Sequence, residues 1–193
     1  PAFTFTAAGT CGGSLAAKLQ LQDGTQDLGT ISQNFTLGQT ILSVTGRTNA
    51  ASINIPSNAP ATTIGPASPF PSTISMSGVV GTVSRVTVTL RSLSHTFPDD
   101  LDILLVGPLG QKVMLMSDCG GSADIVNVNL TFDDGAASSL PDSGAISSGT
   151  YKPTNVGTTD TFNSPAPAGP YGSTLSAFNG LNPNGTWSLY VQD

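Results

Sequence analysis

With 193 residues, the chain is long enough for one substantial domain, alone or with an accessory segment, and for a real buried core. Every one of its twelve acidic residues is Asp, and Lys and Arg together number six, so the Glu, Lys and Arg that usually cover helix surfaces are scarce. The net charge of −6 excludes a basic surface for nucleic-acid phosphates. No apolar run approaches the ~18 residues of a membrane-spanning helix.

Gly (22) and Pro (14), with abundant Ser, Thr, Asn and Val, point to short strands joined by turns, and the expected class is all-β. Charged residues make up only 9% of the chain. Such a weakly charged surface suits an extracellular or cell-surface protein that packs against copies of itself or a matrix; an ordinary secreted β-domain fits it equally. The start at Pro1, with neither a methionine nor a signal-like apolar stretch, reads as a processed product or an excised piece.

Residues 1–52 read as an amino-terminal β segment. Ala17, Leu19 and Leu21 alternate with polar residues and lead into Asp23-Gly24, a hairpin signal; Leu28, Ile31, Phe35 and Leu37 follow. An apolar arm of this kind packs on its own domain or adds as a strand to a neighbour's sheet. Residues 53–74 contain Pro56, Pro60, Pro66, Pro69 and Pro71 and read as an extended, proline-rich connector, either an ordered crossover lying on the sandwich or a flexible linker.

From residue 75 to 193 the strands come quickly. Val86, Val88 and Leu90 alternate with threonines. In Asp100–Val106 both faces are partly apolar, as in a central strand, with the aspartates at its beginning. Gly107-Pro108-Leu109-Gly110 is a turn, Val113–Met116 returns, and Val126, Val128, Leu130 and Phe132 alternate with Asn127, Asn129 and Thr131. Gly135 to Ala168 is a long Ser/Gly/Pro-rich surface loop. Trp187, Leu189 and Val191 share one face of a terminal strand, the tryptophan as a core plug.

Cys11 and Cys119 are each followed by Gly-Gly. Two cysteines and a single histidine cannot make a tetrahedral structural zinc site. A disulfide, within or between chains, and two free buried thiols are both open; a bridge would contribute about 4–5 kcal/mol in the chain-entropy model.

Seven aspartates lie between Asp99 and Asp134, with Lys112 as the one base among them. Carboxylates crowded at strand ends repel unless a cation neutralises them, and hard cations take oxygen ligands. Asp100, Asp102, Asp118, Asp133 and Asp134 are the candidate ligands of a calcium ion. The alternative is that these aspartates cap turns by accepting backbone N–H bonds. The spacing is not that of an EF-hand loop. His95 is the only histidine and no Gly-x-Ser-x-Gly elbow exists, so the expectation is a chain without catalytic activity. Trp187 and three tyrosines are too few for a sugar-binding platform. Asn34, Asn129 and Asn184 each begin a glycosylation sequon.

The order Ser94-His95-Thr96, Asp100-Leu101, Ile103-Leu104-Leu105, Gly107-Pro108, Gly110, Phe132-Asp133-Asp134, Tyr151-Lys152-Pro153, Phe178-Asn179-Gly180 and Asn184-Gly185-Thr186-Trp187-Ser188-Leu189 resembles the proprotein convertase P-domain, or P/homo B domain. The resemblance covers about residues 75–193. It implies a jelly-roll β-sandwich, an extracellular setting, a capacity for calcium, and a strand-end place for His95 beside a backbone or carboxylate partner. P-domains follow and stabilise subtilisin-like protease domains; in bacteria they also occur in secreted and surface proteins with other partners. Residues 1–50 match nothing in the P-domain pattern. Two expectations follow: a structural subunit of a filament, sheath or adhesive surface whose arm contacts copies of itself, or an accessory domain beside a protease or other hydrolase.

Overall fold

The computed structural model describes residues 4–38, 42–56, 64–157 and 160–193. It divides into two compact units, Pro1–Thr45 and Gly46–Asp193. Among the described residues the regular structure is strand, interrupted by two short 3-10 turns, so the chain is all-β.

In the first unit, β1 (Ser14–Asp23) and β2 (Gln26–Thr36) form an antiparallel hairpin. Asp23 pairs with Gln26, so the turn is Gly24-Thr25, and Gly24 takes φ +58, a conformation that costs glycine little. Gly12 N–H donates to the Leu37 carbonyl and Leu37 N–H to that of Gly13, closing the open end of the ribbon. The register sorts the side chains by face. Leu15 opposes Phe35, Ala17 opposes Gln33, Leu19 opposes Ile31 and Leu21 opposes Gly29. The other face pairs Ala16 with Asn34, Lys18 with Ser32 and Gln20 with Thr30. One side is therefore apolar and the other polar, as period-two alternation dictates. Phe5 adds an edge-to-face contact on Phe35, with ring centroids 5.6 Å apart.

The second unit holds two sheets. One has the order β3-β10-β5-β6-β9, from β3 (Ser72–Met76), β5 (Asp102–Val106), β6 (Lys112–Ser117), β9 (Thr154–Asn155) and β10 (Gly185–Gln192). The other has the order β4-β7-β8, from β4 (Val88–His95), β7 (Ile125–Phe132) and β8 (Gly149–Tyr151). Ile103, Leu105, Val113 and Leu115 of the first sheet share one apolar core with Leu93, Ile125, Val128, Leu130 and Phe132 of the second, so the unit is a β-sandwich. Leu104 points to the opposite face of β5 and is also fully buried, level with Met114 and Tyr190 on its neighbours. Burial on both faces is what the apolar run in this strand requires.

Three regions differ from the sequence expectation, and in a fourth one of two open alternatives is found. Residues 64–74 are an ordered crossover and not a flexible linker: Pro66 bridges to Gln192, Ala67 N–H donates to the Val191 carbonyl, and Ser72 opens the edge strand β3. These contacts bring them into the sandwich, whose unit begins at Gly46; residues 57–63 of the expected connector lie outside the described residues. In β7, Val126 is 75% exposed while Ile125 is buried. A bulge at Asn127, with φ +55, inserts one residue and reverses the alternation, and a second bulge at Ser92 of β4 lies on the other side of the Leu93–Val128 pair. The long loop after Gly135 is more than a surface excursion. It runs β8 parallel to β7 and then β9 parallel to β6, and it buries Leu140 and Ile146. Trp187 is partly buried; its ring packs on Phe178 at 4.9 Å and its N–H donates to the Pro183 carbonyl.

Phe132 is fully buried at the centre of the shared core, so Phe132→Ala should lower stability by about 3–5 kcal/mol, measured by urea unfolding. Val126→Ala, in the same strand but exposed, should change it by less than about 0.5 kcal/mol.

Candidate functional site

The five-stranded sheet brings its polar residues together at one end. β5 begins at Asp102, the antiparallel β6 ends at Ser117, and β10 ends at Gln192, which pairs with Asp102. Asp118 follows β6 in a left-handed conformation, φ +51. Asn155 of β9 pairs with Ser117, and the chain then turns through Gly157 against the Asp118 side chain. A side chain at Gly157 would stand 3.0 Å from Asp118 Oδ2, so the close approach needs glycine there. Beyond that turn the loop returns with Asp160.

Three carboxylates meet at the hydroxyl of Ser117. Its Oγ lies 2.7 Å from Asp102 Oδ1, 2.7 Å from Asp160 Oδ1 and 3.4 Å from Asp118 Oδ2. Gln192 donates to Asp102 Oδ2 at 3.2 Å and Asn155 donates to Asp160 Oδ2 at 2.7 Å. A hydroxyl has one proton to give, so of the two contacts at 2.7 Å it donates one, and the other is a hydrogen bond when that carboxyl carries a proton and donates it to Oγ. Burial pushes the Asp102 carboxyl above the ordinary aspartate range; the Ser117 and Gln192 hydrogen bonds oppose that, and the charges of Asp160 and Asp118 reinforce it. Asp118 is raised as well, chiefly by burial and next by the charge of Asp160.

The five expected ligands do not gather at one point. Asp102 and Asp118 belong to this cluster. Asp100 lies in the 3-10 turn Pro98–Asp100, and its charge, with that of Asp99, contributes to raising Asp118. Asp133 instead forms an ion pair with Arg85 and accepts the Gly135 N–H at 2.9 Å, which holds its carboxyl below the ordinary range. Asp134 accepts the N–H groups of Leu175 and Ser176 at 2.8 and 2.7 Å, closing the start of the 3-10 turn Leu175–Phe178. Both therefore play the turn-capping and pairing roles that compete with metal ligation. Asp160 is the member that the sequence reading omits: it stands in the long loop, far from the acidic window, and only the β9 crossover carries it here. Among the described residues, no group of three or more His, Cys, Asp or Glu side chains is disposed to hold a metal ion as the chain stands.

His95 occupies the end of β4. Its Nδ1 lies 2.9 Å from the Phe97 carbonyl, and its Nε2 lies 3.3 Å from that of Pro56 and 3.6 Å from Asp193 Oδ2. The imidazole and the Asp193 carboxylate are both sealed from solvent, and burial raises the Asp193 carboxyl while the histidine opposes the rise. Of the two alternatives left open for Cys11 and Cys119, this structure shows free thiols, only one of them buried. Cys119 lies fully inside the sandwich, with Sγ directed at the Ser117 carbonyl at 3.0 Å, while Cys11 is exposed on the hairpin unit.

No family model, curated protein or solved structure matches the chain.

Two substitutions probe these charges. Asp133 has a lowered folded-state pKa, so its stabilisation is present above the unfolded value of about 3.9 and is lost as pH falls through the folded value. Arg85→Ala should lower the melting temperature at pH 7, and the difference from the parent chain should shrink once the solution is more acidic than that unfolded value. Ser117→Ala should cost about 1.5–3 kcal/mol in urea unfolding, because it leaves half-buried Asp102 without its closest donor.

Proposed function

We propose that the chain is a non-catalytic, extracellular structural module that assembles with copies of itself through its amino-terminal hairpin. The second unit is read as a P-domain-like jelly roll that supplies the rigid body of the subunit. The order of motifs quoted above supports that reading, as do the antiparallel pairs between strands distant in sequence, β3 with β10 and β4 with β7.

The observation that carries the proposal is the hairpin itself. An isolated two-stranded ribbon is marginal in water, and stability comes with further strands or a covered apolar face. Here the apolar side retains substantial exposure: Ile31 is 56%, Phe5 57% and Phe35 42% accessible. A surface of that kind, on a chain with so little charge, favours an association role over an isolated domain.

Calcium enters the proposal at the Asp102, Asp118 and Asp160 cluster. The donor set is oxygen only and its three carboxyls are answered by one hydroxyl and two amides, both of which suit a hard cation. The carboxylates now close on a hydroxyl, so an ion would have to draw them apart from Ser117.

Two measurements test this. In sedimentation velocity the full chain should show concentration-dependent association, and a chain lacking residues 1–45 should be monomeric; a monomer in both cases would return the module to the accessory role beside a secreted protease. For the ion, added calcium should raise the melting temperature and EDTA lower it, with the response abolished in an Asp102→Asn, Asp160→Asn double variant. An identical melting temperature under all conditions removes calcium from the account.

A further inference from the structure

Every residue of β2 from Gln26 to Thr36 is exposed, and among the described residues β1 is its one hydrogen-bonded strand neighbour. Its outer edge therefore offers a row of backbone donors and acceptors. Proteins guard such edges with a charge, a proline or a bulge, because an unguarded edge pairs with another chain. The other strand of the ribbon carries Lys18 at its middle. In β2 the register irregularity falls beside the turn, opposite Leu21 and Gln22. From Thr30 to Thr36 the sequence Thr-Ile-Ser-Gln-Asn-Phe-Thr contains no charge, no proline and no bulge.

That segment is also a chemical palindrome. About Gln33, Ser32 is matched by Asn34, Ile31 by Phe35, and Thr30 by Thr36. Antiparallel pairing of a strand with its own copy, around a two-fold axis through Gln33, sets each residue opposite its match. We propose that β2 pairs in this way with β2 of a second copy, giving a four-stranded sheet of order β1-β2-β2-β1. The proposal rests on the assembly reading above and names the surface that assembly uses.

Four consequences of the pairing favour it. Ile31 stands opposite Phe35 of the second copy on the apolar side, twice over, an aromatic–aliphatic cross-strand pair of the kind that stabilises sheets. Thr30 stands opposite Thr36 and Ser32 opposite Asn34, pairs with complementary hydroxyl and amide groups. Leu15, Leu19, Ile31 and Phe35 from both copies merge into one continuous apolar face, which moves the ribbon from two strands to the three or more that are stable in water. Charge does not oppose the contact: the hairpin unit has one Lys and two Asp, leaving it at −1, and none of the three lies in the paired segment. The sandwich unit carries the other −5 of the chain's −6, which makes its own surfaces poorer candidates for contact between like copies.

The test uses the full chain with Gln33→Lys and Gln33→Glu, each alone and then mixed in equal amounts, followed by sedimentation velocity. Circular dichroism and the melting temperature of the sandwich establish that each variant is folded. Either variant alone places two like charges face to face on the axis and should weaken self-association by about tenfold. The mixture places Lys against Glu and should recover association toward that of the parent chain. Variants that associate as well as the parent, or a mixture that stays dissociated, overturn the β2 pairing while leaving assembly through another surface standing. A parent chain that is monomeric at all concentrations overturns both the pairing and the assembly reading.

Discussion

Burial of β5 on both faces is the constraint from which the rest of the sandwich unit follows. Ile103 and Leu105 face the core shared with the second sheet, and Leu104 faces the opposite side, so no position between them can hold a polar side chain. Polar residues are thereby forced to the ends of the strand. Asp102 takes the beginning, beside the end of β6 and the end of β10. The acidic cluster around Ser117 is a by-product of this arrangement: the same sheet that needs an apolar middle collects aspartates at its rim.

The aspartates of the sandwich unit divide into two electrostatic classes. Asp133 and Asp134 are answered, one by a guanidinium and a backbone N–H, the other by two backbone N–H groups. Their charge consolidates turns between the sheets. Asp102, Asp118 and Asp160 are answered by one hydroxyl and two amides, which is less than three ionised carboxylates require. A proton or a cation is the remaining means of balance, and the cluster therefore links folding to solution conditions more tightly than the answered pair does.

Much of this was legible in the residues. The scarcity of helix-forming charged side chains announced an all-β chain, and the two-sided hydrophobicity of 101–106 marked its central strand. The hairpin around Asp23-Gly24 was plain from alternation and turn chemistry. Other features depend on pairing between distant strands, which local pattern does not encode. Val126 looked like a core residue because the alternation was read straight through Asn127; the bulge there is set by its ladder with β4. Asp133 and Asp134 looked like ligands because Arg85 and Leu175, their partners, are far away in the chain. Asp160 gave no signal in its loop, since its role depends wholly on the crossover that runs beside Ser117. The proline-rich stretch left crossover and linker both open, because proline breaks a ladder yet is also at home along a sheet edge.

The unequal settings of the two thiols have a practical consequence. Burial pushes the Cys119 thiol up to about 11, so at neutral pH it offers almost no nucleophilic thiolate, and the packing around it bars access to a reagent. Cys11 stands open to solvent on the other unit. A maleimide dye added to the native chain would therefore attach once and on the hairpin side, while a second equivalent would react only as the sandwich comes apart. The chain carries its own reporter pair: one label to follow the ribbon, and the uptake of another to time the opening of the core.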